Sequence, residues 1–514
     1  MFSKVKSCAV HGVDGRMIDV EADVNDGLPV FTMVGYLSSS VRESSERVRT
    51  ALKNSGFHLP PKRITINLSP ADMRKDGSGY DLAIATAVLL SLGVTAELPM
   101  EQTLVLGELS LDGSIKAIPG VLPMVICARE EGMTSCIVPK ENVQEAALVQ
   151  GISVIGVSSL KETMEYIQGI KEYENTNVEQ PAVDTSEYLY DIDFSDVVGQ
   201  ESIKRGMEIA AAGFHNVLLT GAAGAGKSML AKRLPTILPQ MSFEESLEVT
   251  KIYSVGGMLP PEGGLIHRRP FRAPHHTISE YALIGGGRVP TPGEVSFAHY
   301  GVLFLDELPE FSKPVLEVLR QPLEDHRIRI SRVQASYEFP ADFMFVAAMN
   351  PCPCGNYPDY RRCSCTEQQI RRYQSKVSGP LLDRIDIRME VKGVKQEVLF
   401  SKQKTESSKT IRARVEQARQ MQKERFAGTG LLFNSQLDGK NLEEYITLSE
   451  EGKRLVLQLF EEQELSVRGV HRVLKLARTI ADLAGSEEIE NAHLQEAAFY
   501  RNQDVFAKEV LHGN

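Results

Sequence analysis

The run Gly221, Ala222, Ala223, Gly224, Ala225, Gly226, Lys227, Ser228 has the spacing G-x-x-x-x-G-K-S, which suits one task, wrapping backbone N–H groups around phosphate oxygens. Its glycines keep side chains away from the approaching phosphates, Lys227 brings a point charge to the β and γ oxygens, and Ser228 offers a hydroxyl to Mg2+. The apolar run "NVLL" before it and the helical pattern after it separate it from a chance glycine-rich turn. A second constellation, "GVLFLDE", ends an apolar run on Asp306 and Glu307. Asp306 suits a carboxylate facing bound Mg2+, and Glu307 a base that orients attacking water. Alone, such a run is an ordinary strand end; beside a phosphate loop it predicts hydrolysis of ATP with Mg2+.

Four of the seven cysteines fall in "PCPCGNYPDYRRCSC", residues 351–365. Cys352, Cys354, Cys363 and Cys365 form two C-x-C pairs able to converge on one tetrahedral ion, and soft thiolates select Zn2+ over Mg2+. The one-residue gaps are tighter than the usual C-x2–4-C, and a redox switch or unligated thiols are the alternatives. Arg361, Arg362, Arg371, Arg372 and Lys376 surround the second pair, opposed by Asp359 and Glu367, with tyrosines between.

These residues need a scaffold of more than one core: 514 residues with 42% hydrophobic content predict roughly two to four domains. The first residues carry no apolar run of signal-peptide length, and "YDLAIATAVLLSLGV" is too short to span a bilayer, so the expectation is a cytoplasmic protein without membrane contact. In that compartment clustered thiols stay reduced and point to metal or redox chemistry. A net charge of -11 excludes polyanion binding by the whole surface and confines any nucleic-acid contact to local basic elements.

Strand-like runs such as "RITINL" and "TLVLGEL" alternate with helical patterns over residues 1–170, predicting an α/β domain. Residues 171–190 lose apolar periodicity and read as a linker. A second α/β unit spans 191–395, and 396–514 turn helical. Within the second unit, "HRIRISRVQASYEFP" predicts a hairpin with a basic face carrying Arg327, Arg329 and Arg332. The stretch from the phosphate loop to Asp306 is long for a minimal core. It holds His275 and His276, read either as packing residues or, since adjacent histidines seldom face one ion, less readily as metal ligands.

With these motifs the chain resembles the Mg-chelatase-like branch of the AAA+ ATPases, and within it the ComM/YifB family, over nearly its whole length. The resemblance implies a P-loop AAA+ α/β core with a helical lid. It makes Asn350, in "FMFVAAMNPCPCG", a sensor near the γ-phosphate, and Arg384, in "SGPLLDRIDI", an arginine finger reaching a neighbour's ATP. Arg468, opening "LSVRGVHRVLKLARTIADL", becomes the second sensor, with Arg472 as its rival. The region around His275 is then an insert facing a ring's central channel, and the hairpin occupies the place of a pore loop. "LSPADMRKDGSGYDLAIA" resembles Lon-type proteases, implying a Lon-protease-like (ribosomal S5 domain 2-like) α/β domain. Where those enzymes hold a Ser–Lys dyad, this chain has Gly79 and Leu122. Neither can act, and nearby Ser78 and Lys75 read as a loop serine and a solvated lysine. The domain is thus expected to be proteolytically inactive and to receive a protein partner.

The function implied is a homo-hexameric motor on single-stranded or branched DNA, a helicase promoting branch migration of recombination intermediates in transformation or repair. The alternative is a chelatase-type or chaperone-type motor that remodels a protein partner, which the acidic net charge suits. Arg327, Arg329, Arg332, Arg371 and Arg372 are the candidate DNA contacts; for each, a solvated surface charge is the ordinary alternative.

Overall fold

The computed structural model describes residues 1–172, 190–260, 264–332, 335–393 and 405–501. Most of the expected linker and the 395/396 boundary lie outside them. Among the described residues no helix is long and apolar enough to cross a membrane.

In the strand Asp14–Asn25, Ile18, Val20, Ala22 and Val24 are buried in strict alternation, the period of a sheet with one face on a core. This strand sits third in a seven-stranded mixed sheet ordered Phe31–Val34, Arg63–Ser69, Asp14–Asn25, Phe2–His11, Thr103–Val105, Ser135–Pro139, Ser153–Val157. The helix Asp81–Ser91 is apolar on nearly all sides and is buried almost throughout, as a helix without a polar face must be.

Continuous apolar runs mark the second sheet, since parallel strands are covered on both faces. Phe271–Arg272, Val302–Leu305, Met344–Met349, Val217–Thr220 and Ile387–Glu390 lie in that order, every pairing parallel. The loops after Val217–Thr220, Val302–Leu305 and Met344–Met349 therefore leave from one carboxyl edge, where open α/β sheets bind ligands. Helices Ser408–Arg425, Gly439–Tyr445, Glu450–Glu462, Val467–Leu483 and Asn491–Arg501 follow. Val467–Leu483 is capped by the Ser466 hydroxyl, which accepts from the Gly469 amide at 3.1 Å, a contact that typically contributes about 1 kcal/mol. The same helix buries Val473, Leu476, Ala477, Ile480 and Ala481 on one stripe. They share a core with Val217, Leu219 and Val346 of the sheet, so the helical region and the sheet pack as one body.

The first domain packs on the second through the helix Phe243–Val255: the Gly120 amide donates to the Ser254 carbonyl at 3.0 Å, and Lys251 pairs with Asp14 at 2.9 Å. The His11 ring stacks on Tyr337 at 4.6 Å, and Val13 is buried with Ile328, Ile330 and Phe339. The hairpin tip of one domain is thereby seated on the basic hairpin of the other.

Candidate active site

The phosphate loop follows Thr220 directly and runs into the helix Lys227–Arg233. Gly221 sits at φ +155°, and a β-carbon there would lie 2.2 Å from the Val391 carbonyl oxygen. Only glycine lets the strand Val217–Thr220 turn this close to its neighbour. Lys227 is buried, and its ammonium donates to the Gly221 carbonyl at 2.7 Å, the Ala222 carbonyl at 2.9 Å and the Asn350 Oδ1 at 3.0 Å. Burial lowers its pKa, against the pull of Asp306 and Glu307. Three neutral oxygens thus fix the ammonium at the mouth of the loop.

Ser228 Oγ donates to Asp306 Oδ2 at 2.5 Å, so the hydroxyl and carboxylate expected around Mg2+ already meet. Both are hard oxygen donors and fit that ion. Glu307 stands just beyond, in the left-handed region at φ +53°, with its side chain about half exposed and its carboxylate 3.9 Å from His276 Nδ1. His276 comes near because Phe271–Arg272 pairs in register with Val302–Leu303, so the loops after these two strands leave side by side. Among the described residues the histidine pair belongs to no group of three or more metal-ligating side chains; the His275 ring lies 4.1 Å from that of His276, tilted by 35°, and His275 bonds Thr277 at 2.9 Å.

Arg384 lies at the opposite edge of the same sheet. Asn216, immediately before the strand Val217–Thr220, donates its side-chain amide to the Arg384 carbonyl at 2.9 Å. From Asn216 to Gly221 an extended chain covers roughly 16 Å, so Arg384 is remote from the phosphate loop of its own chain. It is buried, donates to the Pro380 carbonyl at 2.7 Å and is ion-paired with Glu324. Arg468 and Arg472 line the same cavity as Arg384, a space of about 520 Å³. Arg472 is occupied, 2.8 Å from Asp386. Burial pushes the Asp386 carboxyl up, but Arg472 and His215 outweigh it and hold the carboxyl below the usual range. Arg468 is exposed, which leaves it the freer of the two rivals.

The four thiols do come together. Cys352 Sγ lies 3.4 Å from Cys354 Sγ and 3.8 Å from Cys363 Sγ, with 3.6 Å between Cys354 and Cys363. All four sulfurs, Cys365 included, lie within 4.8 Å of one another. Zn–S bonds of about 2.3 Å at tetrahedral angles require S···S distances of about 3.8 Å, so the set fits a zinc ion. Amides of Asn356 and Ser364 pull the Cys354 thiol down to about 6. The Cys365 amide draws Cys363 the same way, yet desolvation and the adjoining sulfurs push it up to about 12.

The basic elements are less free than their sequence suggests. The hairpin forms from Arg327–Ser331 and Ser336–Pro340, with Ile328 and Ile330 inward and the arginines outward. Glu338 on the opposite strand takes both Arg327, at 2.8 Å, and Arg329, at 3.1 Å, and offsets one of the positive charges of that face. Arg332 donates to the Gly287 carbonyl at 3.2 Å. On the helix Glu367–Gln374, Arg371 lies 3.7 Å from Glu367, and Arg372 is exposed.

In the first domain one expectation fails: Lys75 is not solvated but fully buried. Its ammonium donates to the carbonyls of Met73, at 2.8 Å, and Pro70, and desolvation lowers its pKa. It clamps its own loop, a use invisible without the fold. Ser78 donates to Glu108. A β-carbon on Gly79 would meet Ile118 at 3.1 Å, so the position expected of a nucleophile is packed as well as empty. Sequence reasoning also missed Glu324 and the approach of His276 to Glu307; pairs this far apart in the chain leave no local pattern.

Residues 193–399 match the family described as magnesium chelatase, subunit ChlI, residues 20–142 the subunit ChlI of Mg-chelatase, and residues 405–501 its C-terminal region. The chain is 41% identical over 506 residues to the uncharacterized protein YifB of Escherichia coli, covering 98% of this chain and 97% of that one. It is 40% identical over 503 residues to the competence protein ComM of Haemophilus influenzae, covering 97% of each. Over 183 residues, 32% of each chain, it is 30% identical to Lon protease 2 of Bacillus subtilis.

Proposed function

The chain belongs to the Mg-chelatase-like family of AAA+ ATPases that includes ComM and YifB, and on that premise we propose that it is an ATP-driven homo-hexameric motor acting on single-stranded or branched DNA in the cytoplasm. One observation carries the assembly: the phosphate loop lies at the carboxyl edge of the sheet, and the arginines Arg384 and Arg468 at the amino edge. A finger that cannot reach its own nucleotide serves a neighbour's, and hydrolysis then depends on the ring.

Lys227 exchanges its three oxygen partners for the β and γ phosphate oxygens. Ser228 and Asp306 would hold Mg2+, which neutralises charge developing on the phosphates. Glu307 holds the attacking water and takes its proton, and Asn350, already bonded to Lys227, marks the γ-phosphate position. Arg384 of an adjoining copy spreads positive charge over the transferring group. The four cysteines would hold one structural zinc, a closed site with no open position for chemistry. The Lon-like domain is an inactive scaffold that receives a protein partner.

Support for DNA is the basic hairpin with Arg327, Arg329 and Arg332, the exposed pair Arg371 and Arg372, and the likeness to a protein named for competence. Branch migration of recombination intermediates is the activity that suits such a motor. Glu338 and the net charge of -11 favour the second reading, remodelling of a protein partner. The deciding experiment is ATP turnover alone and with single-stranded, duplex and four-way-junction DNA. Stimulation greatest with the junction supports the motor on branched DNA; a rate indifferent to every DNA refutes it and leaves the protein-remodelling reading.

A further inference from the structure

We infer that a thiophilic divalent cation on Cys352, Cys354, Cys363 and Cys365 sets the affinity of the neighbouring phosphate loop for nucleotide. The inference rests on the reading of that loop as an ATP site. It begins with a contact: Gly355, at φ +78°, is buried, and a β-carbon built on it would stand 3.4 Å from both Cβ and N of Ala223 and 3.8 Å from Asn350 Cγ. The cysteine loop thus rests on the crest of the phosphate loop and against the residue that holds Lys227.

Ala222, Ala223 and Gly224 are otherwise exposed, and β-carbons on Gly224 or Gly226 would meet nothing within 4 Å. Little but Gly355 covers this crest, so its position depends on what holds Gly355. Between Pro351 and Gln369 only Cys352 and Gly355 are buried, so the segment has no apolar core. Its internal bonds are local turns such as Cys363 N to Asp359 O at 2.8 Å, together with Tyr357 N to Cys352 Sγ at 3.4 Å. Asn356 Nδ2 donates across the limbs to the Arg362 carbonyl at 3.5 Å and Gln374 Nε2 to the Pro351 carbonyl at 2.9 Å, but the four sulfurs are the largest group that joins them. A cation bonded to all four fixes Gly355 against Ala223; without it the limbs part, and the phosphate loop samples conformations that do not bind.

The test compares the full-length protein as purified, stripped of metal with a mercurial and chelator, freed of mercury by excess dithiothreitol and desalted, and refilled with Zn2+, all in added Mg2+. Metal is counted by elemental analysis, nucleotide binding is titrated with a fluorescent ATP analogue, and amide hydrogen exchange is followed. About one zinc per chain is expected. If stripping leaves a tenth of the loops competent, the apparent Kd rises about tenfold, and refilling restores it. Amides 222–226 should lose protection while strands 217–220 and 344–349 keep theirs. An equal Kd in stripped and refilled protein, absence of metal in protein that binds nucleotide, or loss of protection in those strands as well each overturns the inference. Failure of the zinc-filled protein to bind nucleotide overturns instead the ATP reading beneath it.

Discussion

Replacing Gly221 with Ala adds one methyl group where the phosphate loop packs on Val391, just past the strand Ile387–Glu390. The new carbon would lie 2.2 Å from the Val391 carbonyl oxygen, whereas an ordinary carbon–oxygen contact needs about 3.3 Å. Relief requires roughly 1 Å of relative movement between the start of the loop and Val391. The sheet on one side is fully buried, Val217, Leu218 and Leu219 having no exposure, so the loop gives way. A shift of that size in a group that positions a reacting phosphate costs about a hundredfold in turnover, and φ near +155° adds strain of about 1–3 kcal/mol for a residue with a side chain. Steady-state ATP hydrolysis, paired with thermal unfolding, reads both. Gly226→Ala, where the new carbon has open space, tests the loop's φ requirement without the clash and should lose less. Parental turnover in Gly221→Ala would refute the claim that the seat against Val391 holds the loop in its working shape.

Glu307→Gln should bind ATP with parental affinity yet hydrolyse it at least a hundredfold more slowly, because a carboxylate that orients water is lost while the phosphate contacts stay; parental turnover would remove Glu307 from its role. Arg384→Ala and Lys227→Ala should each be inactive alone and regain part of the activity when mixed, and mixtures that stay dead at every ratio argue against a finger acting between copies. Peptide and casein cleavage should be absent with ATP present, since Gly79 and Leu122 supply no dyad; cleavage abolished by Ser78→Ala would overturn that assignment. His326 is pulled down by burial but raised overall by Asp342, 2.9 Å away. Its contribution to stability is therefore full below its unfolded pKa of about 6.5 and fades as pH rises through the higher folded value. His326 sits in the left-handed region at φ +53°, which Asn tolerates; the Tm deficit of His326→Asn should therefore report the lost ion pair, largest at acid pH and smaller under alkaline conditions, and a constant deficit would refute the linkage.

The thiol cluster shows how far the sequence reaches toward a site. Two C-x-C pairs flanking a turn-rich loop were legible as candidate ligands, and the sulfurs do meet at distances that suit zinc. That Gly355 between them rests on Ala223 could not be read, because the contact joins segments with no shared pattern. The hairpin divides in the same way. Alternating Arg and Ile announced a half-buried strand with a basic face, yet the choice of Glu338 as partner for both Arg327 and Arg329 follows from cross-strand register.

The sequence by itself determined what is chemically local. A phosphate loop needs consecutive glycines, a lysine and a serine, and a buried strand ending in acids needs a consecutive apolar run. Both are written along the chain because backbone conformation over a few residues is the machinery. Tertiary structure alone decided what depends on which edge of a sheet a residue occupies and which distant segment packs against it. Only strand order puts Arg384 at the amino edge, beyond reach of its own nucleotide, and brings His276 to Glu307. Only packing buries Lys75 as a loop clamp. Such placements arise from many weak long-range contacts summed over the whole core, and no short stretch of residues carries that sum.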